Sequence, residues 1–357
     1  MNNNLTYKVS VIPGDGIGPE IIECALNSLN SVSERFKIDF KIIEVKAGDI
    51  ALKEFGKALP DSTLNQIKSS DVCIKGPVGE SAMEVIVKMR QLFDLYVNLR
   101  PSISLPNLNS LNENVDLIIV RENTEDLYRG LEFNAGESAV ALRVISKKAC
   151  RRTAEYAFKM AMKRKKKVTE IGRAHVWTPV TKRVIKSYKD FFSGYELDAR
   201  EILSKQFKEV ELSELYVDAC AMNLIRNPED FDIIVTTNMF GDILSDEAAQ
   251  VVGGLGLAPS ANIGKNFALF EPVHGAAPDI AGNGTANPIA MILSIKLMLE
   301  WLSDHKKDEK CLIAAKAVEK AVYDSLKNNM KTAEIGGNKK TKEIGNIITS
   351  SILDYKS

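Results

Sequence analysis

Short apolar runs, each closed by a turn and followed by a helix-like stretch, most narrow the folds open to this chain. Val9-Ser10-Val11-Ile12 runs into Pro13-Gly14-Asp15-Gly16-Ile17-Gly18-Pro19, and a helix is expected from about Pro19, where proline is tolerated in the first turn. Phe40 to Val45 reads as a strand, and Asp61 to Ser69 as a helix capped by Asp61. Val72 to Pro77 reads as a strand ending in a loop, and Asp116 to Val120 as a fully apolar strand. Lys147 to Arg164 reads as a helix, Tyr216 to Cys220 and Asp232 to Thr236 as strands, and Ala290 to Leu302 as an amphipathic helix. Strands alternating with helices predict an α/β architecture with a largely parallel sheet.

At 357 residues the chain is long enough for two domains or one large α/β unit. Lys plus Arg and Asp plus Glu each number 47. A nucleic-acid binder would carry a basic excess, so that class is disfavoured. The one strong charge run, Lys163 to Lys167, closes a predicted helix, where cations suit the helix dipole, and reads as a solvated end. No apolar run approaches the roughly 18 residues that cross a bilayer. The polar start, Met1 to Leu5, shows no secretory signal. The five cysteines form no CxxC pair, so they imply neither a zinc site nor a disulfide framework. They read as buried thiols of a cytoplasmic protein.

The glycine-rich loop Gly14 to Gly18 fails the dinucleotide fingerprint G-x-G-x-x-G, because position 19 is proline. Asp242 and Asp246 stand at i and i+4, on one face of a helix if the segment is helical. Such a pair either coordinates a hard cation such as Mg²⁺ or Mn²⁺ or is simply two solvated acids, and spacing alone leaves both open. The preceding buried strand, Phe231 to Thr236, favours a site, because α/β sites gather where strands end and helices begin. Asp218, at the end of the Tyr216-Val217 strand, is a candidate third acid. Arg90, Arg100 and Arg121 lie in apolar or turn settings; singly each reads as an ion pair, but converging they would clamp two carboxylates.

Four strings then resemble one family, the isocitrate/isopropylmalate (β-decarboxylating) dehydrogenases, closest to the archaeal type of isopropylmalate enzyme. They are Arg121-Glu122-Asn123-Thr124-Glu125-Asp126-Leu127-Tyr128, Asn238 to Glu247, Gly253 to Asn262, and Glu271-Pro272-Val273-His274-Gly275. The resemblance implies that family's own fold, two domains around a mixed or parallel sheet, and not a Rossmann fold. It implies a large domain of 1–100 plus 253–357 and a small one of 101–252 with the dimer contacts. It implies that Arg90, Arg100 and Arg121 grip substrate carboxylates, that Ile86 and Val87 meet the substrate side chain, and that Tyr128 donates a proton. It implies Mg²⁺ or Mn²⁺ on Asp242 and Asp246, with Asp218 from the partner of a homodimer whose active sites are shared. It implies NAD beside Ile12, Glu271, His274, Gly275, Ala276, Ala277, Asp279, Ile280 and Asn287. Family members that use NADP carry Lys and Tyr at the positions of Asp279 and Ile280, and a carboxylate at 279 suits a ribose diol and repels a 2′-phosphate.

The aliphatic pair Ile86-Val87 is similar to isopropylmalate enzymes, where isocitrate enzymes keep Ser and Asn. The implied activity is oxidative decarboxylation of 3-isopropylmalate, with isocitrate or homoisocitrate as the alternative within the class. From another class, a non-catalytic regulatory subunit of a hetero-oligomeric isocitrate dehydrogenase is the competing expectation. Its support comes from 170–183, which departs from the family pattern where the family keeps a catalytic Lys and a nearby Asn. The string Ile171 to Thr181 resembles the translation of a sequencing-library adapter with TGA read as Trp177. Lys182 is the nearest substitute base, one position out of register. With Pro179 in it, the segment is expected to be an irregular surface loop.

Overall fold

The computed structural model of this chain describes residues 6–82, 84–173 and 206–356. In chain order the strands are β1 (Thr6–Ile12), β2 (Asp39–Glu44), β3 (Val72–Lys75), β4 (Val97–Ile103), β5 (Asp116–Glu122), β6 (Glu132–Ala135), β7 (Ser138–Ala141), β8 (Lys167–Arg173), β9 (Glu211–Tyr216), β10 (Ile233–Thr236), β11 (Pro259–Ile263) and β12 (Ala268–Pro272). β6 and β7 form a separate hairpin; the others build one sheet in the order β2-β1-β3-β12-β11-β4-β5-β10-β8-β9. The outer strands pair in parallel on both sides, and the central four, β12 to β5, pair antiparallel.

The helices are α1 (Gly18–Phe36), α2 (Asp49–Phe55), α3 (Asp61–Lys68), α4 (Glu84–Leu92), α5 (Lys147–Ala161), α6 (Val217–Arg226), α7 (Asn238–Val251), α8 (Ile289–Lys306), α9 (Glu309–Lys327) and α10 (Thr341–Leu353). One continuous apolar core joins both halves of the sheet, from Val9 and Val11 through Val97, Leu99 and Val120 to Val168 and Val235, under α1, α5, α8, α9 and α10. The opposite face is divided. One cluster gathers Ile12, Cys73, Leu269 and the inner sides of α3 and α4; another gathers Leu117, Ile119 and Ile234 under α6 and α7. The central strands cross the gap between these clusters, and the expected domain boundary near residue 100 falls inside β4.

Several sequence expectations need correction. Tyr216 to Cys220 is not a strand: β9 stops at Tyr216, and Val217 opens α6, in which Ala219, Ala221, Met222 and Leu224 are good helix formers. Asp61 is the first residue of α3, whose N-cap is Pro60. The helix α8 is not amphipathic. It lies between β11 and β12 on one side and α9 on the other, so residues around its whole circumference are buried. Residues 170–173 are not a surface loop but the end of β8, paired with β10 through Ile171, which is fully buried. The rest of 170–183, including Lys182, lies outside the described residues.

The basic run is less solvated than expected. Arg164 bridges Asp116 and Asp232, each at 2.7 Å, and Asp232 is fully buried. The Asp232 carboxylate also accepts from Lys165 N at 3.0 Å, pinning the α5–β8 turn to the start of β10. Asp232→Ala removes the buried half of this bridge and the acceptor of Lys165 N, and should cost about 3 kcal/mol of unfolding free energy, measured by urea denaturation.

Candidate active site

Strand alternation assembles the site. Asn262 on β11 faces Asn98 on β4, and Asn98 faces Arg121 on β5. Register partners share a sheet face, as do residues two apart, so Arg100 joins the same face. Polar side chains therefore form a stripe across the gap between the two apolar clusters. Arg90 reaches it from α4 and is buried with Arg100 and Arg121, the last only 1% exposed.

Arg100 and Arg121 converge on acids of α7, while Arg90 turns to Asn262 and Glu271. Arg121 Nη1 pairs with Asp242 Oδ1, Arg100 Nη2 lies 3.8 Å from the same oxygen, and Arg100 Nη1 lies 3.4 Å from Asp246 Oδ1. Arg121 Nε donates to Asn238 Oδ1 at 2.8 Å, while its Nη2 is buried without a partner. Burial, then repulsion from Arg121, depresses the Arg90 pKa to about 10 and lowers that of Arg100. Arg90 thus stays protonated at neutral pH. Burial acts to raise the Asp242 carboxyl, but Arg121, the Tyr128 hydrogen bond and Arg100 outweigh it and hold it below the usual carboxylate range. Asp246, with weaker compensation from Arg100, is raised by burial and by Asp242 beside it.

Tyr128 sits in the short 3-10 turn Asp126–Arg129, and its hydroxyl donates to Asp242 Oδ2. Burial and that bond push its pKa up to about 12, so the proton stays on the phenol. Ile86 and Val87 are half-buried, one turn before Arg90 on the same face of α4. Asp218 is exposed in the first turn of α6, and among the described residues no three acidic, His or Cys side chains gather as a metal site. The one chain therefore brings Asp242 and Asp246 together and leaves Asp218 apart from them.

The loop 274–287 follows β12. Ala276 O accepts from Ile17 N at 2.9 Å, and a Cβ on Gly16 would stand 2.0 Å from that oxygen. The glycine-rich turn thus docks its backbone on this loop, which explains glycine at position 16. His274 Nε2 and Asn287 Nδ2 are buried without partners, Ala277 holds a positive φ of 40°, and Asp279 presents an exposed carboxylate. With His274 Nδ1–H donating to Gly275 O at 3.0 Å, its Nε2 is a buried acceptor and Asn287 Nδ2 a buried donor; together with the exposed acid they fit a ligand with both acceptors and hydroxyls, such as a nucleotide. Gly275, Ala276 and Ile280 line the same turn. Two of the residues expected at the cofactor are buried. Ile12 is fully buried in the apolar cluster beneath β1 and β3, and its carbonyl accepts from Gly76 N at 2.8 Å. Glu271 turns inward to Lys75, 2.8 Å away, and to the arginine stripe.

Sequence reasoning missed Asn98, Asn238, Asn262 and the Lys75–Glu271 pair. The available signal was polar residues at alternate positions of otherwise buried strands, as in Val97-Asn98-Leu99-Arg100. It also missed Asp15, whose carboxylate accepts from Asp49 N and Gly79 N, both at 2.9 Å, and so ties three loops together at the strand ends.

Comparison with known proteins agrees with this geometry. Residues 8–348 match the family model for isocitrate/isopropylmalate dehydrogenase. The 3-isopropylmalate dehydrogenase of Saccharolobus solfataricus is 47% identical over 342 residues, covering 95% of this chain and 98% of that protein. The homoisocitrate dehydrogenase of Methanocaldococcus jannaschii is 41% identical over 366 residues, covering 98% and 97%. The crystal structure of isocitrate dehydrogenase from Methylococcus capsulatus superposes with a TM-score of 0.86 at 36% identity, covering 97% of this chain and 99% of that one. The chain belongs to the isocitrate/isopropylmalate dehydrogenase family, a family of decarboxylating dehydrogenases.

Gly241 brings α7 against the stem of Arg121: a Cβ there would lie 2.6 Å from Arg121 Cγ and 2.8 Å from its Cβ. Gly241→Ala should displace the guanidinium and weaken binding of a malate-type dicarboxylate on the order of tenfold by calorimetry, at a stability cost of about 1–3 kcal/mol.

Proposed function

We propose that this chain oxidatively decarboxylates 3-isopropylmalate to 2-oxoisocaproate, using NAD and Mg²⁺ or Mn²⁺, as a cytoplasmic homodimer. The observation that carries the substrate choice is the shared face of Ile86, Val87 and Arg90 on α4. Two aliphatic side chains beside a guanidinium suit a substrate with a branched alkyl group next to a carboxylate. Burying that alkyl group contributes about 2 kcal/mol, whereas a third carboxylate there would lose water and gain no partner.

Asp242 and Asp246 would hold the divalent ion, and the 274–287 loop, with Asp279 toward the ribose, would hold NAD. When bound, NAD supplies the hydride acceptor and the ion supplies electrophilic stabilisation of negative charge. The chain's own groups supply the rest. Arg90, Arg100 and Arg121 bind and orient two carboxylates, and the unpartnered Nη2 of Arg121 is a donor awaiting one. Tyr128, protonated and anchored on Asp242, would return a proton to the carbon that loses CO₂. The family's base for the C2 hydroxyl has no Lys in register in this chain; Lys182, one position away and outside the described residues, is the nearest substitute, and slow turnover is expected of it.

A second copy completes the metal site in this reading. Asp218 shares a face of α6 with Met222 and Ile225, 58% and 57% exposed, and Ile243 beside Asp242 is 59% exposed. A two-fold contact over these apolar residues would carry the partner's α6, and its acid, toward α7. The hairpin of β6 and β7 exposes Phe133 and its flanks Leu131 and Leu142, a further apolar surface for the partner.

Initial-rate assays with NAD and Mn²⁺ test the assignment. The expected order is a kcat/KM for 3-isopropylmalate at least about tenfold above those for isocitrate and homoisocitrate, with NAD preferred to NADP. A clear isocitrate or homoisocitrate preference overturns it.

A further inference from the structure

Beneath the arginines lies a set of buried amides that the reading above leaves without a role. Asn262 uses its side-chain oxygen to accept from Arg90 Nε at 3.0 Å, Asn98 Nδ2 at 3.2 Å and Asn123 Nδ2 at 2.9 Å. Its own Nδ2 donates to Glu271 Oε1 at 2.8 Å, and the other Glu271 oxygen meets Lys75. Asn98 extends the connection, because its Oδ1 accepts from Arg100 Nε at 2.6 Å. The two ends of an amide differ, three donors converge on one end and a carboxylate takes the other, so Asn262 satisfies the set in one orientation only.

We propose that Asn262 is a positioning residue for the substrate carboxylates, fixing the guanidinium of Arg90 directly and that of Arg100 through Asn98. Holding each group by Nε leaves only long contacts at the Nη nitrogens, 3.8 Å from Arg90 to Glu271 and 3.3–3.8 Å from Arg100 to Ser245, Asp246 and Asp242, which a ligand carboxylate can replace. Neutrality at position 262 is part of the device. A carboxylate there would accept from the same donors, but it would face Glu271 across a hydrogen-bond distance. It would also satisfy Arg90 internally, in competition with the substrate. Arg121 stands outside this relay, since its Nε rests on Asn238.

The inference rests on the substrate reading above, and its test separates the two. Wild type, Asn262→Asp and Asn98→Ser are titrated calorimetrically with 3-isopropylmalate, isocitrate and homoisocitrate, and separately with NAD. Whichever acid the wild type binds best should bind on the order of tenfold more weakly to Asn262→Asp and severalfold more weakly to Asn98→Ser, with NAD affinity within about twofold. Unchanged acid affinity, or equal weakening of acid and NAD, overturns the relay. Best binding of isocitrate by the wild type overturns the substrate choice and leaves the relay to be judged with that acid. If the wild type binds none of the acids, or Asn262→Asp does not fold, hydrogen exchange of the arginine Nε–H groups by ¹⁵N NMR decides. Asn98→Ser should then accelerate exchange at Arg100 and leave Arg121 unchanged; the same rates as wild type at Arg100 overturn the proposal.

Discussion

Three guanidinium groups held out of water on one face of a sheet dictate what can surround them. An isolated buried cation is very unfavourable, so each must be hydrogen-bonded and partly neutralised. The sheet does this through register. Asn262, Asn98 and Arg121 stand opposite one another on three adjacent strands, Arg100 follows two residues after Asn98, and Glu271 with Lys75 closes the far end. Across the sheet, Val97, Leu99 and Val120 belong to the continuous apolar core. The same strands are therefore structural on one face and chemical on the other, and the two-residue period of β structure is what separates the roles.

Compensation is incomplete on the open side. Asp242 is pulled toward Arg121, Arg100 and the Tyr128 hydroxyl together, Asp246 is the less compensated acid, and one Arg121 nitrogen has no partner. Such a cluster is poised to exchange partners: a dicarboxylate can take the guanidinium groups while a divalent cation takes the acids. Loop geometry joins the glycine-rich turn to the 274–287 loop. Asp15 ties together the loops at the strand ends, and Gly16 lets the backbone of that turn touch the 274–287 loop.

Much of this was legible because the informative strings are long and contiguous. The strand-ending Arg121 to Tyr128, the paired acids of α7 and the turn after Glu271 each carry several functional groups on one short element, where spacing translates directly into a shared face. What failed depended on tertiary context. The strand reading of Tyr216 to Cys220 ran past the real strand end into a helix whose alanines were the warning. Helix α8 looked amphipathic because a helix between two apolar layers differs from a one-sided helix only in how completely it is covered. Ile12 and Glu271 are buried, and the Lys75 and Arg90 partners of Glu271 come from strand register and helix packing that a motif alone does not display. Asn98 and Asn262 lie 164 residues apart, and only the pairing of β4 with β11 makes them one network.

The exchange of partners at α7 is the claim on which the account turns, and linked binding measures it directly. Calorimetric titration of the full chain with a malate-type dicarboxylate, with and without saturating Mn²⁺, reads the coupling. If the ion draws Asp242 and Asp246 away from the arginines, the dicarboxylate should bind on the order of tenfold more tightly in its presence, with a reciprocal gain for the ion. Identical affinities in both titrations would contradict the account.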